Sequence, residues 1–480
     1  MACIIAVSAG RGEARAQEKL ALTLKGAVDI SLERNLSIAE ENLLSMMAEA
    51  EALSRKGEFE PALKFGLNQA YSREQAVSLI ASPEARSAGY DISLGGKVKT
   101  GAAYELKWAG GRVKSSANPF LTVNPYYSSD LTLSLTQPLL KGFGKSVQES
   151  SLNVARNNVS ISRLNAEAKA EDIVAKTAGA YWNLYYARSR YEVAGLSVEL
   201  AQNLQKEVMA RIEAGALAPV EIYKADAELA QRQEALIRDR KAVFDAEDAL
   251  KEAMNLEDWD SEIVVMQTPP EPGAETETEG FEKAVNEAVQ SRSDYMAALA
   301  EHKGKAIMSR FYKNQRLPEL DLIASSGLNG ISSSQGDAID ETGSGRYYSW
   351  TVGVSVSIPL GNKGAKGSYL KAKREEERAE LNVMALRQRI AFEVREALRA
   401  VKLYCQSVAA ARATKAASYA RLEAEEARFR LGMATVNDVF RFEQEYSQTL
   451  SSEKRAISDY ATAVIMLEKA KGTLKKVLMP

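Results

Sequence analysis

Histidine is the residue most used for acid–base catalysis and metal ligation near neutral pH. This chain of 480 residues has one, His302, and its two cysteines, Cys3 and Cys405, stand far apart. A His/Cys metal centre, a Ser-His or Cys-His nucleophilic site and a disulfide framework are therefore all unsupported. No motif asks for a cofactor. Met46, Met47, Met254 and Met433 are too scattered for a soft copper site. Tyr181, Trp182, Tyr185 and Tyr186 have helical spacing and read as packing, and Glu375-Glu376-Glu377 reads as a solvated face. His302 reads as exposed and Cys405 as a small packed residue. What remains is a pair of acids placed alike: Glu221 and Asp438 each stand six residues after a glycine, Gly215 or Gly432. Asp438 and Arg441, at i,i+3, can pair on a helix surface. An acid at a helix start also complements the helix dipole.

The elements that must carry those acids are long. Only Pro219 falls between Leu139 and Thr268, and no proline falls between Leu360 and Met479. Proline in a helix interior costs about 3 kcal/mol, so these stretches, dense in Ala, Glu, Lys, Arg, Leu and Gln, permit long helices. Ile390, Val394, Ala397, Leu398, Val401 and Tyr404 step along one helical face. Lys145 to Gly215 is about 70 residues, or roughly 100 Å as a helix, and Gly367 to Gly432 is similar. Gly215 and Gly432 read as hairpin tips, because glycine supplies the left-handed conformation that reverses a helix, and Pro219 can open the returning helix.

Other segments alternate. Leu131, Leu133 and Leu135 interleave with Thr132, Ser134 and Thr136 before Pro138. Val352, Val354, Val356 and Ile358 interleave with small or polar residues before Pro359. Period two with one apolar face is a strand. Weaker runs follow Pro61 (Leu63, Phe65, Leu67) and Pro318 (Leu320, Leu322). Tyr126, Tyr127, Tyr347, Tyr348 and Trp350 stand at the loop ends of the two clear strands, and Asn329 to Gly345 reads as a long exposed loop. Taken alone, such strands fit equally a soluble sheet edge packed on helices.

The order of parts occurs twice. Each half has a moderate helix (Val28–Lys56, Phe281–Arg316), a proline and a strand, a loop, and an alternating strand ending in Pro-Leu. A Gly/Lys-rich turn and a long hairpin broken at one glycine complete it. Arg211-Ile212-Glu213-Ala214-Gly215 parallels Arg428-Phe429-Arg430-Leu431-Gly432. The predicted segments are 17–60, an N-terminal helix; 61–138, strands and loop; 139–256, the first long hairpin; 257–280, a linker; 281–316, a helix; 317–360, strands and loop; and 361–480, the second hairpin and C-terminal segment. The first half holds something the second lacks, because Tyr90 to Trp108 reads as an additional hairpin. It reads either as an extension or irregular hairpin at the outer end, which is the favoured reading, or as two more strands per protomer that widen the barrel.

This duplicated order resembles the TolC-like outer membrane efflux proteins over nearly the whole chain after its first 20 or so residues. The most specific pieces are Leu133-Ser134-Leu135-Thr136-Gln137-Pro138-Leu139-Leu140 and the run from Phe429 to Val439 through Gly432 and Asp438. The resemblance implies a mixed, mainly α fold, with long antiparallel hairpins forming an α-barrel and a few antiparallel strands contributing to a trimeric transmembrane β-barrel. In that family each of three protomers gives four strands to a twelve-stranded barrel. It implies a homotrimer in outer membrane lipid, extending into the periplasm, that works with a periplasmic adaptor protein and an inner-membrane pump in efflux or type I secretion. By the same resemblance Gly215, Leu217, Leu431, Gly432 and Thr435 belong to tips that dock the adaptor. Asp438, with Arg441 and Glu221, belongs to a periplasmic gate. The family often has a second acid where this chain has Arg441, so a doubled acidic ring is not expected.

The residues agree with that picture on their own terms. Four strands cannot close a barrel, and an open edge cannot sit in lipid. Leucine and valine faces suit lipid, Ser/Thr faces a wet lumen, and terminal aromatics an interfacial girdle. A net charge of −2 gives no electrostatic footprint for nucleic acid. The apolar run Cys3–Ala9 and Ala14-Arg15-Ala16 read as the remnant of a signal peptide at 1–16, with the mature chain starting near Gln17. The rival reading is a soluble coiled-coil scaffold, which has no use for the alternating strands. An enzyme has no constellation to support it.

Overall fold

A computed structural model describes residues 19–73, 75, 84–116, 122–272 and 280–478. The expected leader at 1–16, Cys3 and linker residues 273–279 lie outside the described residues. The chain opens with β1 (Lys19–Leu22), α1 (Leu24–Arg34) and α2 (Leu36–Gly57). Four strands follow: β2 (Ala62–Arg73), β3 (Glu84–Lys97), β4 (Ala103–Ser115) and β5 (Tyr126–Pro138). A short α3 (Lys145–Gln148) leads into the first long hairpin, α4 (Ser150–Glu213) and α5 (Glu221–Met254), and then β6 (Glu262–Val265). The second half runs α6 (Phe281–Ser291), α7 (Ser293–Asn314), β7 (Glu319–Ser332), α8 (Gln335–Gly343) and β8 (Tyr348–Ser357). Its long hairpin is α9 (Lys363–Arg430) and α10 (Val436–Lys471), closed by α11 (Leu474–Leu478). The mainly helical, duplicated class is as the sequence predicts.

Two compact units are present. The first holds the chain up to Leu43, Arg163–Met296 and everything from Met384 on. Its core gathers Val28, Val174, Tyr181, Trp182, Leu184, Leu250, Met254, Ile263 and Leu474, all nearly or fully buried. Tyr181 and Trp182 are thus packing residues, as their spacing predicts. The Tyr181 hydroxyl donates to the Leu22 carbonyl at 3.0 Å and accepts from the Gln267 amide at 3.2 Å. It thereby fixes β1, which pairs in parallel with β6. Neither of these short strands is apparent in the sequence, since four residues are too few to show a period.

The moderate helices expected over Val28–Lys56 and Phe281–Arg316 are each two helices. They break at Asn35 and Arg292, both in extended backbone. Asn35 turns its side chain into the cap of the next helix, its Oδ1 accepting from the Ser37 amide at 2.9 Å. Arg292 spends its guanidinium on Asp294 at 2.7 Å and Glu393 at 2.6 Å. The breaks occupy matching places in the two halves.

The second unit, Leu44–Ser162 and Ala297–Val383, carries one antiparallel sheet of six strands in the order β2-β3-β4-β5-β7-β8. The expectation for Tyr90–Trp108 is corrected here. Those residues lie in β3 and β4, full strands of 14 and 13 residues set between β2 and β5. Among the described residues this sheet therefore holds six strands, not four. The turn between β3 and β4 is tied to the elbow that joins β5 to the helices. The Gly144 amide donates to the Thr100 carbonyl at 3.0 Å, Thr100 Oγ1 donates to Gln137 at 3.2 Å, and Lys99 reaches Glu149 at 3.2 Å. An outer-end extension would leave this turn free. Gly89, Gly95 and Gly96 interrupt the alternation of β3, so the sequence shows the hairpin but not the full length of its first strand.

Register fixes the two faces, since paired residues in an antiparallel ladder point the same way. One row runs Leu63, Leu94, Leu106, Leu133, Ser326, Trp350, and the next Phe65, Ile92, Trp108, Leu131, Leu328, Tyr348. The opposite face carries Lys64, Ser93, Lys107, Thr132, Gly327 and Ser349 in one row, and Gly66, Asp91, Ala109, Asp130 and Asn329 in another. The loop expected over Asn329–Gly345 is also corrected: β7 extends to Ser332, and α8 lies across the apolar face with Ala338 and Thr342 buried. Gly330 lets it approach, since a Cβ there would meet the Ala338 carbonyl at 2.3 Å. Ser334 caps α8 by accepting from the Asp337 amide, so the Ser, Gly and Asp that read as loop are here a capped helix on a glycine.

Gly101 carries the hairpin turn at φ +102°, and a Cβ there would meet the Gly142 carbonyl at 2.7 Å. Gly101→Val is expected to cost about 1–3 kcal/mol through backbone strain and collision, read as a lower denaturation midpoint. Gly353→Ala, in open space on β8, should leave the midpoint within error of the parent.

Candidate functional site

The sequence-predicted site residues all lie in the first unit, at the ends of the long hairpins. Both tips have the same geometry. At the first, the Gly215 amide donates to Ile212 at 2.9 Å and the Ala216 amide to Arg211 at 2.8 Å, with Gly215 at φ +75°. At the second, the Gly432 amide donates to Phe429 at 2.9 Å and the Met433 amide to Arg428 at 2.9 Å, with Gly432 at φ +74°. This pair of bonds ends a helix by satisfying its last carbonyls. The repeated Arg-x-x-x-Gly is thus a repeated helix stop.

The returning helices start differently. Thr435 caps α10: its hydroxyl accepts from the Asp438 amide, while Asp438 Oδ2 accepts from the Thr435 amide at 3.1 Å and hydroxyl at 2.6 Å. This reciprocal box satisfies two orphan donors. It holds the Asp438 carboxyl below the usual carboxylate range, with the Thr435 bonds as the main cause and Arg441 and Arg428 adding to it. Asp438 and Arg441 do meet, at 3.9 Å. Glu221 opens α5 with no side-chain cap before it, and pairs with Lys224 at 2.7 Å. The two acids that look alike in sequence therefore do different work: one is a cap, the other a first-turn charge.

Of the tip residues, Gly215, Leu431, Gly432 and Thr435 are exposed, Leu431 by 75%. Leu217 is turned inward against a cluster of Leu204, Val208, Phe429, Val436, Val439 and Phe440. Arg211 locks the tips together, donating to the Phe429 carbonyl at 2.9 Å and lying 4.2 Å over the Phe429 ring. Among the described residues no group of three or more His, Cys, Asp or Glu is placed to hold a metal ion.

A buried ion pair behind the tips was not singled out from sequence. Arg232 of α5 lies 2.9 Å from Glu443 of α10, and both are almost fully buried. Arg232 also donates to the Phe440 carbonyl, to the Ser197 carbonyl and hydroxyl, and to Glu228. Burial pushes the Glu443 carboxyl up to about 7, against the opposing pull of Arg232, with Glu426 and Glu228 adding repulsion. The signal was available: Val436, Val439, Phe440 and Glu443 form one stripe, as do Ala225, Leu229 and Arg232. A charge on an apolar stripe is the feature to notice.

The sequence pattern described as outer membrane efflux protein matches residues 27–256 and 284–473. The chain belongs to the outer membrane efflux protein family. It is 23% identical to the outer membrane protein TolC of Vibrio cholerae over 317 residues, covering 64% of this chain and 69% of that protein. Its fold is that of two solved outer membrane proteins. One is VceC of Vibrio cholerae (TM-score 0.67, 14% identity, 94% of this chain and 96% of that one), the other the CmeC channel of Campylobacter jejuni (TM-score 0.66, 16%, 94% and 86%). The two matched segments are the two halves of the duplication, and the efflux proteins' break between them falls at the linker.

Between the ordinary glutamate range and about pH 7, the folded protein holds a proton on Glu443 that the unfolded chain releases. Stability therefore falls as pH rises through that window, by on the order of 2 kcal/mol. Glu443→Gln, neutral throughout, should flatten the slope in denaturation run at about pH 5 and about pH 7; a slope unchanged by it assigns the effect elsewhere. Thr435→Ala removes the α10 cap and is expected to cost about 1 kcal/mol, measured the same way.

Proposed function

We propose that this chain is the outer membrane exit duct of a tripartite efflux or type I secretion system, closed by three copies and gated at its periplasmic end. The observation that carries this is the sheet. Its leucine, valine and aromatic face is exposed on β2, β4, β5 and β8, with Leu63, Phe65, Leu67, Leu106, Leu133, Trp350, Val352, Val354 and Val356 uncovered. Its other face is polar, and among the described residues its edge strands β2 and β8 have no partner on their outer sides. In water such a face would be a liability. In a bilayer it is the expected outside of a barrel wall. No helix among the described residues is long and apolar enough to cross a membrane; we assign the crossing to the strands on the strength of their apolar face. A soluble scaffold has no use for an apolar face of this extent.

The tips supply the proposed gate and docking surface. The exposed Leu431, Gly432 and Thr435, with Gly215 on the first hairpin, offer a small-residue surface to the hairpin of a periplasmic adaptor. Arg211 on Phe429 and the Arg232–Glu443 pair hold the two hairpins together, so they are the contacts that opening must loosen. Asp438 keeps Oδ1 free of its cap, and three copies would present three such carboxylates beside Arg441. The energy for export comes from the partner pump in the inner membrane; this chain does no covalent chemistry.

Membrane fractionation and the mass of the solubilised complex test the reading. Recovery in the outer membrane as a complex of three chains is expected; a stable monomer in buffer without detergent contradicts it. For the gate, Asp438→Asn keeps an acceptor for the cap and removes the charge. It is expected to raise the current of the reconstituted channel severalfold in the absence of adaptor and to weaken block by divalent cations, while the Thr435→Ala variant changes stability first.

A further inference from the structure

We infer that the β3–β4 hairpin is part of the membrane wall, so that three copies close an eighteen-stranded barrel whose outer mouth is as wide as the helical ring beneath it. The inference rests on the trimeric channel reading above and deepens it.

Three observations on the sheet converge. The hairpin runs the full height of the wall: β3 and β4 match the 13 residues of β5, and their registers continue without a gap from β2 through to β8. About 9–11 tilted residues suffice to cross a bilayer core. Its turn is built into the base, with Gly101 against Gly142 and Pro138, and Ala102 buried. Its two faces continue the wall's chemistry. Ile92, Leu94, Leu106 and Trp108 extend the apolar rows, while Asp91, Ser93, Glu105 and Lys107 extend the polar ones. A hairpin outside the wall would not keep this alternation in step with its neighbours.

The girth agrees. Strands about 4.8 Å apart and tilted by about 40° each take about 6.3 Å of circumference, so six strands take about 38 Å. In the same unit four helical segments, from α2, α4, α7 and α9, run to or from the sheet. At about 8–10 Å each they take about 36 Å. Six strands therefore sit on four helices without a change of width, whereas four strands would take about 25 Å and force the tube to taper. Eighteen strands close a barrel about 36 Å across between backbones, against about 24 Å for twelve. The added hairpin brings charges of both signs to the lumen, with Lys107 at 3.8 Å from Asp91. A mouth of this width suits bulky, hydrated cargo.

Spin labels on the full-length chain in lipid vesicles test this. With the native Cys3 and Cys405 first changed to serine, single cysteines replace Ser93, Leu94, Leu106 and Lys107, with Thr132→Cys and Leu133→Cys on β5 as reference. The expected result is that labels at 94, 106 and 133 are relaxed by oxygen, and those at 93, 107 and 132 by a water-soluble nickel chelate. Images of the unlabelled protein, which need no substitution, should show a barrel about 1.5 times as wide as twelve strands would give. If β5 alternates while both faces of β3 and β4 meet only the chelate, or the barrel is about 24 Å across, the hairpin is outside the wall and the inference is overturned with the channel reading intact. If β5 itself fails to alternate, the channel reading falls with it.

Discussion

Everything in this fold depends on a sheet that ends in two bare edges. β2 and β8 each present a row of amides and carbonyls with nothing paired to them on one side, beside an apolar face that water does not suit. In hydrocarbon each unsatisfied backbone group costs several kcal/mol. The face requires lipid and the edges forbid it, unless other chains complete the ladder. On the channel reading proposed above, only closure resolves the two demands, and assembly is then a condition for a membrane part to exist rather than an addition to it.

The long helical hairpins answer a different demand, that of turning and adhering along their length. They do so with repeated local devices. Two helix stops of the same geometry turn the hairpins at Gly215 and Gly432, and breaks at Asn35 and Arg292 occupy matching places. The hairpins adhere through a thin apolar stripe and a few buried charges. Arg232 and Glu443 show the consequence: a carboxyl on the stripe is pushed up to about 7 by burial, even with a guanidinium at 2.9 Å. Pairs of this kind seldom add net stability, and breaking one by removing a partner is costly.

Much of this was legible in the sequence, for a physical reason. Proline-free stretches, alternating leucines and a doubled order of parts are long-range statistical features, and they fixed the class, the hairpins and the clear strands. What escaped was local. Asn35 caps the helix after it through Ser37, and Arg292 divides its guanidinium between Asp294 and the distant Glu393, contacts that periodicity cannot register. The glycines in β3 break its alternation and leave its full length unread, and α8 reads as loop because a helix lying on Gly330 needs only two buried residues, Ala338 and Thr342. Asp438 was correctly placed beside Arg441, but its bond to Thr435 follows from cap geometry and not from its spacing to Gly432. Arg232 and Glu443 stood in view on apolar stripes and were read past.

The central claim is that the bare edges find each other in neighbouring copies. Cysteines placed pairwise on the outward faces of β2, at Leu63, Phe65 or Leu67, and β8, at Trp350, Val352 or Val354, measure this directly in isolated outer membranes. Oxidation of the matching pair should produce a ladder of covalently joined chains that stops at three. If every pair in the panel stays monomeric, or if the ladder runs on past three, the sheet does not close as described.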